Sequence, residues 1–251
     1  MMRRIILLLF VALVTLLPVS VMAGKRILYI GDSITDGGWG NSGGAMMASS
    51  ERNHWDLNHI YGHSYMFLCA TYYQATNPTA GFEFYNRGIS GNTLEDIAKR
   101  WKSDVLALNP DVVSVLVGTN DIHYLLADTT KEEKTIDVEL WGRRYAELLA
   151  ELKRQNPDVV IVLGTPFVSK AGWVGEAEDY EIRKNLVDNL AVKVRELAVT
   201  YGAYLVDYNV MFDQLNAEAP KTDYWSWDGI HPTPAGHYKM AELWKEIVGE
   251  L

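Results

Sequence analysis

Two runs in the middle of the chain, Val112–Val117 and Val159–Leu163, are almost unbroken in valine, isoleucine and leucine. A strand with one wet face alternates apolar and polar residues. A strand covered on both faces reads as a continuous apolar run. These two segments therefore call for a sheet with helices on either side. Three further β-type runs, Arg26–Ile30, Phe82–Asn86 and Tyr204–Asp207, bring the expected strands to five. Helical periodicity falls between and after them, over His63–Ala75, Leu94–Leu108, Asp137–Gln155, Asp179–Tyr201 and Pro234–Leu251. Thr93 with Asp96 has the spacing of a capping box ahead of the second of these helices. Alternation of this kind predicts an α/β fold with a doubly wound, five-stranded parallel sheet. Right-handed crossovers leave it few topologies. No internal repeat or low-complexity tract divides the chain, so residues 24–251 are expected to form one domain.

The first 23 residues have a different character. Arg3 and Arg4 precede an apolar run from Ile5 to Leu17, Pro18 and Ser20 interrupt it, and Val21-Met22-Ala23 ends on a small residue. This is the pattern of a secretory signal peptide cleaved after Ala23. The run falls short of the ~20 residues that span a bilayer. The expectation is export to a periplasm or the extracellular space, without membrane insertion after cleavage. Removal of the leader takes the formal net charge from −9 to −11, because two arginines and no acids go with it. So acidic a surface repels phosphate and excludes nucleic acid as a natural partner. Cys69 is the only cysteine, which rules out an intramolecular disulfide.

Four segments at predicted element edges carry chemistry. The first strand runs into Gly31-Asp32-Ser33, which presents a hydroxyl at the carboxyl edge of the sheet. Serine is a weak nucleophile until a base takes its proton, and alone this serine reads as a helix N-cap. The base is at hand in Asp228-Gly229-Ile230-His231-Pro232, just before the last helix. An Asp three residues ahead of a His can hold the imidazole Nδ1–H across a tight turn, which Gly229 permits, leaving Nε2 for the serine. The other two segments, Asn86–Thr93 and Gly118–Asp121, follow strands two and three. Glycines there let backbone N–H groups approach a ligand, and an Asn side chain adds an amide. With the N–H of Ser33 they provide the donors of a three-part oxyanion hole. Each segment is ordinary turn chemistry by itself; four such coincidences on one edge are not.

Taken together, in this order, the four blocks resemble the SGNH (GDSL-type) hydrolase family. Its named residues match Ser33, Gly91, Asn120 and His231, and its Asp matches Asp228. The resemblance runs over essentially the whole chain after residue 23. It implies a three-layer α/β/α sandwich with a flavodoxin-like sheet, a Ser33–His231–Asp228 triad, and an oxyanion hole of Ser33, Gly91 and Asn120. It picks Gly91, not Gly88, as the backbone donor, and it implies no metal and no organic cofactor. The activity it implies is hydrolysis of an ester through an acyl-enzyme. Many such families include carbohydrate O-acetylesterases, which makes an acetylated sugar or oligosaccharide the expected substrate. A lysophospholipase or thioesterase with the same triad, acyl transfer to a sugar, and a catalytically silent glycan-binding protein are the alternatives.

Between Asp36 and His63 lie 26 residues without periodicity, a length that in compact domains usually signals function or disorder. This segment offers Trp39, His54, Trp55 and His59, and the region of the predicted triad offers Asp32, Trp225 and Trp227. Aromatics mixed with imidazoles and amides suit a polar, flat-faced ligand, so these seven are the expected substrate contacts. The spacing of His54, His59 and His63 does not fit a helical zinc-binding pair with a catalytic Glu.

Overall fold

The computed structural model describes residues 24–38 and 60–251. The expected leader, residues 1–23, and the positions Trp39, His54, Trp55 and His59 lie outside them. Strands β1 (Arg26–Gly31), β2 (Glu83–Gly88), β3 (Val112–Leu116), β4 (Val160–Gly164) and β5 (Tyr204–Val206) are all parallel, in the order β2-β1-β3-β4-β5. Every residue of β3 is buried, as its unbroken apolar run requires.

Register places Tyr29, Ser114 and Asn86 side by side on adjacent strands. This face is covered by α2 (Tyr65–Thr76) and α9 (Pro234–Val248), which also pack on each other. The Tyr29 ring centroid lies 5.2 Å from that of Trp244 and 5.8 Å from that of Tyr65, and Trp244 Nε1 donates to Ser114 Oγ at 3.0 Å. The other layer is a set of mutually packed helices, α3 (Leu94–Asp104), α5 (Val138–Gln155) and α7 (Tyr180–Tyr201). The result is a three-layer α/β/α sandwich around one cluster of buried apolar side chains.

The capping box forms as expected, with Thr93 accepting from the Asp96 N–H and Asp96 from the Thr93 N–H. The α3 helix stops at Asp104, and a 3-10 turn, Leu106–Leu108, completes the segment read as one helix. Four helices were not foreseen: α1 (Ser33–Asp36), α4 (Thr119–Ala127), α6 (Gly172–Glu176) and α8 (Tyr208–Ala217). Each is short or starts within three residues of a strand end. Asp207, read as the end of a strand, is the N-cap of α8, its side chain accepting from Val210 N.

Candidate active site

The loops that leave β1, β2 and β3 all open on the carboxyl edge of the sheet, where open α/β folds bind ligands. Asp32 caps α1, and Ser33 is its first helical residue. The Ser33 N–H therefore belongs to the first turn, where backbone donors have no intrahelical acceptor. After β2, Gly91 adopts φ 80°, a left-handed conformation that favours glycine. A Cβ there would lie 2.8 Å from the Tyr124 hydroxyl, so Tyr124 borders this donor directly. After β3, Gly118 at φ 129° turns the chain into α4 and places Asn120 in its first turn.

Two buried or half-buried side chains hold these loops together. Arg100 donates to the carbonyls of Arg87 and Gly31 and to Asn92 Oδ1, at 2.7, 3.1 and 2.8 Å. Asp121 accepts from Leu94 N and from Trp141 Nε1, joining the start of α4 to the start of α3. Burial pushes its carboxyl up to about 7.

The candidate base, His231, arrives from the connection between α8 and α9. Ser226 and Pro232 form an antiparallel bridge, and Gly229 takes φ 95° at the tip. Asp228 Oδ1 accepts from the backbone N–H of Ile230 and His231 at 2.9 and 2.7 Å, while Oδ2 meets His231 Nδ1 at 2.7 Å. The opposite ring nitrogen, Nε2, lies 2.8 Å from Ser33 Oγ. Burial would raise the Asp228 carboxyl, but hydrogen bonds from His231 and the turn outweigh it and hold the pKa below the usual carboxylate value. The same carboxylate raises the pKa of His231, against the desolvation of its half-buried ring. A serine, an imidazole and a carboxylate in line can pass a proton from hydroxyl to ring while the carboxylate stabilises the imidazolium.

The expected substrate contacts divide. Trp227 is 60% exposed and its ring lies nearly parallel to the His231 imidazole, at 21° with centroids 6.3 Å apart. Trp225 instead packs against the core and edge-on to Tyr224, with Nε1 buried. Asp32 lies beneath the surface. It is 1% exposed, with Oδ1 accepting from Ile34 N and Oδ2 from the Asn120 side-chain amide, so its oxygens serve the protein. Burial raises its carboxyl to about 6.

Sequence reasoning missed Tyr124, which borders Gly91, Trp173, whose neighbour Gly172 abuts Asp228, and His123, which packs on Trp173. Tyr124 and His123 lie on a helix that was not foreseen, and Trp173 lies on another. Among the described residues, no group of three or more His, Cys, Asp or Glu side chains is placed to hold a metal ion. Among the same residues no helix is long and apolar enough to cross a membrane.

Comparison with known proteins places the chain among ester hydrolases. The GDSL-like lipase/acylhydrolase family matches residues 29–239. An acetylxylan esterase from Geobacillus stearothermophilus is 28% identical over 230 residues, covering 90% of this chain and 95% of that protein. A solved structure of the Geobacillus enzyme aligns with a TM-score of 0.74 at 27% identity, over 92% of this chain and 97% of that one. A protein from Parabacteroides merdae described as a GDSL-like lipase aligns with a TM-score of 0.76 at 31% identity, over 91% and 98% of the two chains. Two other solved forms of the Geobacillus enzyme are catalytic mutants, one with a serine and one with an aspartate replaced by alanine.

Proposed function

Because the chain belongs to the GDSL-like lipase/acylhydrolase family and is a carboxylic ester hydrolase, we propose that it is an exported O-acetylesterase that removes acetyl groups from a carbohydrate through an acyl-enzyme on Ser33. The observation that carries the mechanism is the unbroken relay from Ser33 Oγ through His231 to Asp228, with links of 2.8 and 2.7 Å. Ser33 attacks the ester carbonyl as His231 Nε2 takes its proton. The N–H groups of Ser33 and Gly91 and the Asn120 amide receive the oxyanion. His231 then protonates the departing sugar hydroxyl, and a water molecule repeats the sequence on the acetyl-enzyme.

Similarity to an acetylxylan esterase along nine-tenths of the chain supports acetyl and carbohydrate over a long acyl chain. The leader pattern of residues 1–23 supports export. The test is acetate release from a panel of acetylated oligosaccharides, with Ser33→Ala as the blank, alongside p-nitrophenyl esters of increasing chain length. Acetate release that the blank abolishes, with p-nitrophenyl activity highest on the shortest chain, is the expected result. Peak activity on long chains would replace this reading with a lysophospholipase or thioesterase.

A further inference from the structure

A group that protonates a leaving oxygen must lie within hydrogen-bond reach of it. The alcohol half of the ester therefore sits on the His231 side of Ser33, and the oxyanion donors mark the other side. Two exposed indoles stand on that alcohol side. Trp227 lies parallel to the His231 ring itself. Trp173 is 46% exposed and is bracketed by two residues that touch Asp228. On one side of it, a Cβ on Gly172 would fall 2.6 Å from Asp228 Cα. On the other, Val174 N donates to the Asp228 carbonyl at 3.3 Å.

Trp173 is also mounted in an unusual way. The guanidinium of Arg183, a residue only 5% exposed, lies with Cζ 5.7 Å from the centroid of the indole. Its Nη2 reaches Asp179 at 3.4 Å, while Nε and Nη1 are buried with no hydrogen-bond acceptor among the described residues. A desolvated cation with so little pairing gains most from a nearby π face, so the indole and the guanidinium hold each other. His123 packs edge-on to the same indole, at 5.7 Å and 69°. Desolvation and the nearby Arg183 charge push its pKa below the usual imidazole value.

We infer that Trp173 and Trp227 are the two walls of a subsite for the sugar ring that carries the scissile acetyl group, with Arg183 as the positioning residue that fixes Trp173. This rests on the sugar-ester reading above and deepens it. The apolar C–H faces of a pyranose suit flat indoles, and the remaining hydroxyls stay in water at the open side.

The experiment compares kcat/KM for acetylated xylo-oligosaccharides with kcat/KM for ethyl acetate, whose alcohol has no ring to stack. Trp173→Leu keeps apolar volume over Arg183 and removes the π face, and it lowers the sugar-to-ethyl-acetate ratio about tenfold, mainly through KM. Trp173→Phe restores most of the ratio, and Arg183→Gln gives an intermediate loss. An unchanged ratio in Trp173→Leu overturns the subsite while the sugar-ester reading stands. Wild-type protein that cleaves ethyl acetate but releases acetate from no acetylated sugar overturns both. A change in the sedimentation mass of Trp173→Leu with the ratio unchanged would make Trp173 a contact between copies and likewise end the inference.

Discussion

The Asn120 side-chain amide donates to Asp32 Oδ2 at 3.3 Å, linking the loop after β3 to the residue just before the candidate nucleophile. The same amide nitrogen lies 3.3 Å from the Asn92 carbonyl, in the loop after β2. Asn120 is thereby held between the loops that carry the two proposed backbone donors, so its amide nitrogen is in position before substrate arrives, and an oxyanion would take over one of these two 3.3 Å contacts. Preset donors are what make such a site effective, because no reorganisation is needed as charge develops.

Asn120→Ala is expected to lower kcat by about 10²–10³-fold with little change in stability, the usual cost of one oxyanion donor. Asp32→Asn keeps the donor but misorients it, and is expected to lower kcat by a smaller factor. Its stability effect changes with pH. The buried carboxyl has its pKa raised from 3.8 to about 6, so the folded state binds more protons than the unfolded state between those values. Stability from this group is full below the lower value and is lost as pH rises through the upper one. Thermal melts should therefore show the stability of Asp32→Asn, relative to wild type, improving from pH 4 to pH 7. A pH-independent difference would remove the buried charge as its cause.

The raised pKa of His231 is expected to set the acid limb of activity. The base must be neutral to accept the serine proton, so kcat/KM is expected to fall below a pH higher than the ordinary imidazole value of 6.5. Asp228→Asn removes the charge that raises it. The limb should move to lower pH, and kcat should drop by about 10⁴-fold, as when a triad carboxylate is neutralised elsewhere. Rate profiles of the two proteins decide this; a limb that stays in place would mean another group controls it.

Gly229 has no room for a side chain. A Cβ would lie 2.5 Å from Val174 Cβ and 2.7 Å from the Ala171 carbonyl, at a φ of 95° that side-chain-bearing residues avoid. Gly229→Ala is expected to cost about 2–5 kcal/mol from backbone strain and overpacking together. Because the turn also aims His231, kcat should fall too. Urea unfolding and kcat on one preparation measure both.

Much of the sheet was legible because burial on two faces leaves a mark in the sequence. Val112–Leu116 and Val160–Gly164 are strands within a residue or two of where their apolar runs lie. The capping box at Thr93 was equally plain, since it is a local pattern with a local cause. Helix α4 was not, because Gly118-Thr119-Asn120-Asp121 is as good a turn as a helix start, and only packing of α4 against α7 decides between them. Trp225 and Trp227 show the same limit at the site. The two indoles are two residues apart, yet one packs against the core and the other lies beside His231, a division that no local pattern in the sequence announces.

The sequence by itself determined the α/β class, the parallel sheet and the residue types at its carboxyl edge. These follow from periodicity, turn chemistry and short spacings that the chain cannot hide. Only the tertiary structure decided which of those residues meet. Ser33 and His231 are 198 positions apart and 2.8 Å from each other. Asp32 came to anchor Asn120, and Trp173 came to stand between two residues that touch Asp228. Such pairings depend on how strands stack and loops fold back, and contacts between distant positions leave no period in the sequence from which to read them.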